Sequence, residues 1–133
     1  MSADPSLPSS PSSQPPPGRA PTERLAVDLA LLAAELRCED IVVLNLRNLS
    51  PACDYFLIAT GTSDRQMRAV ADAIDERAKA ARHQRYGLAG YEHATWILID
   101  YVDLVIHLFD QTSRDYYDLE LLWGDAPRVE WSD

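Results

Sequence analysis

The densest run of chemically capable side chains lies between Thr95 and Asp110, TWILIDYVDLVIHLFD, where Asp100, Asp103 and His107 interrupt an aliphatic stretch and Asp110 closes it. Two carboxylates and an imidazole are the parts of a metal site or of general acid–base catalysis. An unpaired carboxylate inside a core would cost several kcal/mol or shift its pKa strongly. A metal site does not close on this spacing, because four residues along a strand put His107 roughly 13 Å from Asp103. No nucleophile or phosphate-binding element converges with the aspartates, and His107 alone fits a structural strand histidine. The stretch ATGTSDRQ, Ala59 to Gln66, could hold an anion at a helix N-terminus. It is not a P-loop, which needs GxxxxGK followed by Ser or Thr, and an N-cap at Ser63 explains it more simply. Cys38 and Cys53 form no CxxC pair and read as reduced, buried thiols. A nucleophilic Cys53 would need a base and an orienting group, and nothing near it in sequence supplies them. No catalytic residue, metal or cofactor is predicted.

The elements that must position these residues follow from periodicity. Thr22 after Pro21 predicts a helix N-cap, and Leu25, Leu29, Leu32 and Leu36 continue an apolar stripe to about Arg37. IVVLNL, Ile41 to Leu46, reads as a strand broken by Leu49-Ser50-Pro51-Ala52. YFLIAT, Tyr55 to Thr60, is apolar on both parities, as in a strand covered on both faces. Ser63 with Gln66 fits a capping box opening a helix whose buried stripe is Met67, Val70, Ile74 and Ala78. Residues 82–93 read as a loop marked by Gly87 and Gly90. A last helix is expected from about Ser113 to Trp123, with Tyr116, Leu119, Leu122 and Trp123 inward and Gly124 and Pro127 ending it.

Between them, Trp96 to Asp100 and Asp103 to Phe109 read as a hairpin with Tyr101-Val102 at its tip. Asp100 would then pair with Asp103, Leu98 with Val105 and Trp96 with His107. Alternation puts Ile97, Ile99, Leu104, Ile106 and Leu108 on an aliphatic core side. Trp96, Leu98, Asp100, Asp103, Val105, His107 and Phe109 form an exposed, half-aromatic platform rimmed by carboxylates. Like charges directly opposite each other destabilise a sheet, so an Asp100–Asp103 pair would suit an incoming cation. A protein-docking face with Trp96 as anchor fits this mixture best.

A chain of 133 residues with 47% hydrophobic and 25% charged residues suits one globular domain. No apolar run reaches the roughly 18 residues of a membrane span. The first 21 residues hold seven of the nine prolines and read as a disordered Pro/Ser-rich tail, with neither the apolar core of a secretory signal nor the Arg-rich character of a transit peptide. Net charge is −9 and uneven: residues 63–86 carry six basic and four acidic residues, residues 91–133 two basic and ten acidic. The acidic C-terminal half is not expected to bind nucleic acid and suits a basic partner, although a solubilising surface would look the same.

DYFLIATGTSDRQM (Asp54 to Met67), TWILIDYVDLVIHLF (Thr95 to Phe109) and SRDYYDLELLW (Ser113 to Trp123) resemble, in order and spacing, the signature blocks of the ribosomal silencing factor family, RsfS or iojap. IVVLNL matches the block before them. The resemblance covers residues 22–128 as one domain, leaving the tail 1–21 and a short C-terminal tail, 129–133. It implies an α/β fold, a small mixed β-sheet packed by helices, similar to the nucleotidyltransferase fold but without catalytic residues. The metal-binding DxD strand of such enzymes is replaced here by D-x-x-D across a turn. It further implies binding to a basic protein, the fourteenth of the large ribosomal subunit, that blocks joining of the small subunit and lowers translation when nutrients are short. The family's binding block falls on Trp96, Asp100, Tyr101, Asp103 and His107, and Leu98 lies on the same predicted face. The implied setting is cytoplasmic, without membrane contact, with little direct contact to nucleic acid, and with room for a homodimer through the apolar face. Two rival readings stand beside this one. A large-subunit assembly factor would use the same face, and an enzyme acting on nucleotides or phosphate esters would use Ser63 and its helix N-terminus.

The family usually has Gly where Val102 stands, Asp where Asn45 stands and a glycine-containing segment at 91–93. A β-branched residue tolerates positive φ poorly, so another turn type and a displaced Tyr101 are expected at the tip.

Overall fold

The computed structural model describes residues 21–118 and 123–132. Helix α1 (Pro21–Glu35) buries Leu25, Leu29 and Leu32 with Ala26, Ala30 and Ala33 between them. Thr22 lies inside this helix and is not its cap. Pro21 takes a first-turn position, where its fixed φ and missing N–H are harmless. Strand β1 (Glu39–Asn45) starts before the predicted IVVLNL run and carries a bulge between Glu39 and Val42. Strand β2 (Tyr55–Thr60) is buried at every position except the half-buried Phe56.

Helix α2 (Asp64–Ala80) opens with Ser63 Oγ accepting the Gln66 N–H at 3.0 Å. Gln66 completes the cap in its own way: Oε1 accepts from Thr62 N–H at 3.1 Å and Nε2 donates to the Leu36 carbonyl at 2.8 Å, tying α2 to the end of α1. Its buried stripe is Met67, Val70, Ala71, Ile74 and Ala78. The predicted loop at 82–93 contains a short strand, β3 (Gly87–Ala89), followed by β4 (Trp96–Asp100) and β5 (Leu104–Phe109).

The five strands form one mixed sheet in the order β1-β2-β5-β4-β3. The β2–β5 pair is parallel and the others antiparallel. This places β2 in the sheet interior and explains its apolar residues on both parities. Helices α1 and α2 cover one face, where Val43, Leu57, Ile97, Ile99, Leu104, Ile106 and Leu108 pack. A second cluster, including Val42, Leu44, Leu46, Ile58 and Phe109, packs on the other face with Trp96, Phe56 and Trp123 against it. The expected open platform is therefore partly covered.

Helix α3 (Gln111–Tyr117) starts before the predicted Ser113, because Asp110 caps it by accepting the Ser113 N–H at 2.7 Å. Its buried side chain is Arg114, which donates to Thr60 Oγ1 at 2.8 Å, whereas the expected inward Tyr116 is 80% exposed. Leu119 and Leu122 fall outside the described residues. Beyond them the chain runs along the β1 edge, with Asn45 N–H bonded to the Pro127 carbonyl and Val129 N–H to that of Val43, both at 2.8 Å. Val129 and Trp131 pack on the helix-side core.

Candidate functional site

Alternation along β4 and β5 sends Trp96, Leu98 and Asp100, with Val105, His107 and Phe109, to the face away from the helices. The register differs from the expected one by two residues. Trp96 stands opposite Phe109, Leu98 opposite His107 and Asp100 opposite Val105. The anticipated Asp100–Asp103 repulsion does not arise, because Asp103 lies in the turn. There its carbonyl accepts from Asp54 and Tyr55 N–H at 2.9 and 3.0 Å, while Asp100 Oδ1 accepts the Val102 N–H at 2.7 Å.

That last bond holds the turn in a conformation with Val102 at φ 73°. The expected change of turn type is thus corrected. Val102 adopts the left-handed backbone at a cost of roughly 1–2 kcal/mol, with its side chain 53% exposed. Val102 joins Phe56, Leu98, Val105 and Trp123 in lining a groove of about 600 Å³, with Asp100, His107, Cys53 and Tyr86 also in its wall.

Trp96 is a half-buried wall of this face and not an open anchor. Its ring lies 4.9 Å from Phe109 and 4.6 Å from Tyr117, and its Nε1–H donates to His107 Nδ1 at 3.1 Å. That bond assigns the remaining ring proton to Nε2. His107 is 4% exposed and packs edge-on to Phe56 at 4.5 Å, and burial pushes its pKa down to about 4, so the ring is neutral at neutral pH. Among the described residues its Nε2 has no hydrogen-bond partner.

Tyr101 goes to the other side of the sheet. It belongs to the helix-side core, and its hydroxyl donates to Asp75 of α2 at 2.8 Å. Burial, and then that bond, raise its pKa. Of the predicted contact residues, the structure brings Leu98, Asp100 and His107 to the groove, puts Trp96 beside it and Asp103 in the adjoining turn, and separates Tyr101 from them. The groove residues that sequence reasoning missed include Cys53, Phe56, Tyr86, Val102 and Trp123. Only Phe56 had a signal, its opposite parity to Tyr55 and Leu57.

The chemistry open to other groups is narrow. Burial raises the Cys53 thiol pKa and the Asp54 charge adds to it, which disfavours the nucleophilic thiolate. At the α2 N-terminus the amides of Arg65 and Gln66 are already bonded to Asp64 Oδ1 and Ser63 Oγ, leaving a poor cradle for phosphate. Among the described residues no three His, Cys, Asp or Glu side chains converge as metal ligands, and no helix is long and apolar enough to cross a membrane.

The fold and the site together define a small mixed α/β domain with helices on one sheet face and an acid-rimmed apolar groove on the other. The chain belongs to the ribosomal silencing factor family: the family model described as "Ribosomal silencing factor during starvation" matches residues 19–133. It is 44% identical over 94 residues to ribosomal silencing factor RsfS of Halalkalibacterium halodurans, covering 71% of this chain and 80% of that protein. It is 35% identical over 108 residues to the chloroplastic protein Iojap of Arabidopsis thaliana, covering 79% of this chain and 44% of the plant protein. Among solved structures, a Bacillus halodurans protein superposes with a TM-score of 0.67 at 38% identity, covering 80% of this chain and 94% of that one. A Chromobacterium violaceum protein does so with a TM-score of 0.71 at 31% identity, covering 83% and 92%.

Proposed function

We propose that this chain is a non-enzymatic, cytoplasmic translation repressor that docks on the large ribosomal subunit through a basic protein, the subunit's fourteenth, and so keeps the small subunit from joining when nutrients are limiting. The observation that carries this reading is the groove. An apolar trough of about 600 Å³ rimmed by Asp100 suits an apolar side chain flanked by a cation. Val102 supports it, since a β-branched residue kept exposed in a left-handed turn is destabilising for the fold and explicable as a contact. Leu98, Val102 and Phe56 make the apolar contact and Asp100 and Asp103 orient it. Trp96 holds His107 and the groove wall, and Tyr101 braces the turn from behind. Inhibition is steric, exerted by the folded domain on the joining surface.

The test is pelleting of the purified chain with isolated large and small subunits, using wild type and Leu98→Lys. Wild type should travel with the large subunit, and the variant should bind at least about 30-fold more weakly, as for an interface hot spot of ~2 kcal/mol. Co-migration with the small subunit alone, or equal binding by a folded variant, would contradict the reading.

A further inference from the structure

The acidic character of the chain reverses in one place. From Lys79 to Tyr86, KAARHQRY, there are three formal cations and no carboxylate, in a protein of net charge −9. Helix α2 ends here in a paired-bond C-cap, with His83 N–H bonded to the Ala78 carbonyl at 2.8 Å and Arg82 N–H to that of Lys79 at 2.9 Å. Arg82 occupies the left-handed position of this cap at φ 67°, where glycine is the cheap residue. Attraction to the helix dipole accounts for Arg77 and Lys79 in the last turn. It does not account for Arg82 and Arg85 beyond the helix end. Arg77 is already committed to Asp28 of α1 at 3.0 Å and Arg85 leans on Asp75 at 3.4 Å. Lys79 and Arg82 are exposed, and together with His83, Gln84, Arg85 and one carboxylate, Asp75, they line a cleft of about 480 Å³. Next to them Tyr86 is 77% exposed.

This cluster adjoins the groove. Tyr86 lines the groove, and its N–H donates to the Asp100 carbonyl at 2.7 Å. Asp75, which holds Arg85, also holds Tyr101, the residue after Asp100. A cationic loop with an exposed aromatic ring fits the phosphate backbone of RNA with an unpaired base stacked on the ring. We propose that Lys79, Arg82 and Arg85 bind ribosomal RNA phosphates, with Tyr86 stacking on a base, beside the partner seated in the groove. The ribosomal source rests on the docking reading; the RNA chemistry does not.

Binding is measured for wild type, Lys79→Ala/Arg82→Gly and Tyr86→Ala, against fluorescein-labelled oligouridine and against isolated large subunits, each over a salt series. Wild type should bind the oligouridine with a log–log salt slope of about −2, from three phosphates at ~0.7 each. The double variant should lower that slope to about −0.7, and Tyr86→Ala should weaken RNA binding by at least about fivefold. On subunits the double variant should reduce the slope by roughly one per lost cation. The double variant should also be at least as stable as wild type, since glycine relieves the strained cap, so lost binding cannot be assigned to unfolding. Subunit binding with an unchanged slope, and no binding of oligouridine by wild type, overturns the RNA contact while leaving the docking reading intact. Oligouridine binding without subunit binding removes the docking reading and the ribosomal source with it, and keeps only the RNA contact. Failure in both arms removes both.

Discussion

His107 couples the stability of the groove face to pH. Its ordinary pKa of 6.5 falls to about 4 in the fold, by burial alone. The folded state favours the neutral ring, so below pH 6.5 the unfolded chain binds the proton more readily and stability falls as pH drops toward 4. The full fall from 6.5 to about 4 is worth on the order of 3 kcal/mol. About 2 kcal/mol of it is lost between pH 7 and pH 5, where the unfolded-state imidazole titrates and the folded one does not. Carboxylates change over the same range, so the contribution is isolated by comparison with His107→Gln, which does not titrate and keeps an acceptor for Trp96 Nε1–H. Urea denaturation at both pH values, with m checked for constancy, should show wild type losing ~2 kcal/mol more than the variant. Equal losses would mean that His107 is solvated in solution, and the packing described around it would be wrong.

The turn at Val102 predicts that Val102→Gly is stabilising. Relief of roughly 1–2 kcal/mol of left-handed strain exceeds the roughly 0.5–1 kcal/mol that glycine adds to unfolded-state entropy. A higher urea midpoint together with weaker subunit binding is expected; a lower midpoint would contradict the strain. Tyr101→Phe removes the hydrogen bond to Asp75 and should cost ~1 kcal/mol in denaturation while leaving subunit affinity unchanged. A large loss of affinity would return Tyr101 to the contact set. Gly90→Ala should destabilise by roughly 2–4 kcal/mol, since Gly90 has φ 77° and an added Cβ would run into the Trp96 carbonyl. A melting temperature like that of wild type would show that this loop is not held as described.

What was legible in the sequence depended on how local the rule is. The stripes Leu25–Leu29–Leu32 and Met67–Val70–Ile74 need only the helical period, and they face the core as expected. The two faces of the β4–β5 hairpin were also readable, because parity depends on alternation alone. The pairing was not. A slip of two residues leaves every side chain on its own face, so Leu98 and His107 could share the groove side whatever their partners. Strand β3 escaped notice because three residues opening on Gly87 carry too short a pattern. Helix α3 begins early because Asp110, at the end of a strand, supplies the cap. The groove needs more than local rules. Phe56 reaches it through the parallel β2–β5 pairing, opposite Val105, and Trp123 and Tyr86 arrive from separate segments, which no periodicity along the chain encodes.

Subunit joining, followed by light scattering after mixing the chain with large subunits and then adding small subunits, tests the central claim most directly. Wild type is predicted to suppress the scattering rise in proportion to its occupancy of the large subunit, and Leu98→Lys at the same concentration is predicted to leave it intact. Normal joining on large subunits saturated with wild type would contradict steric exclusion.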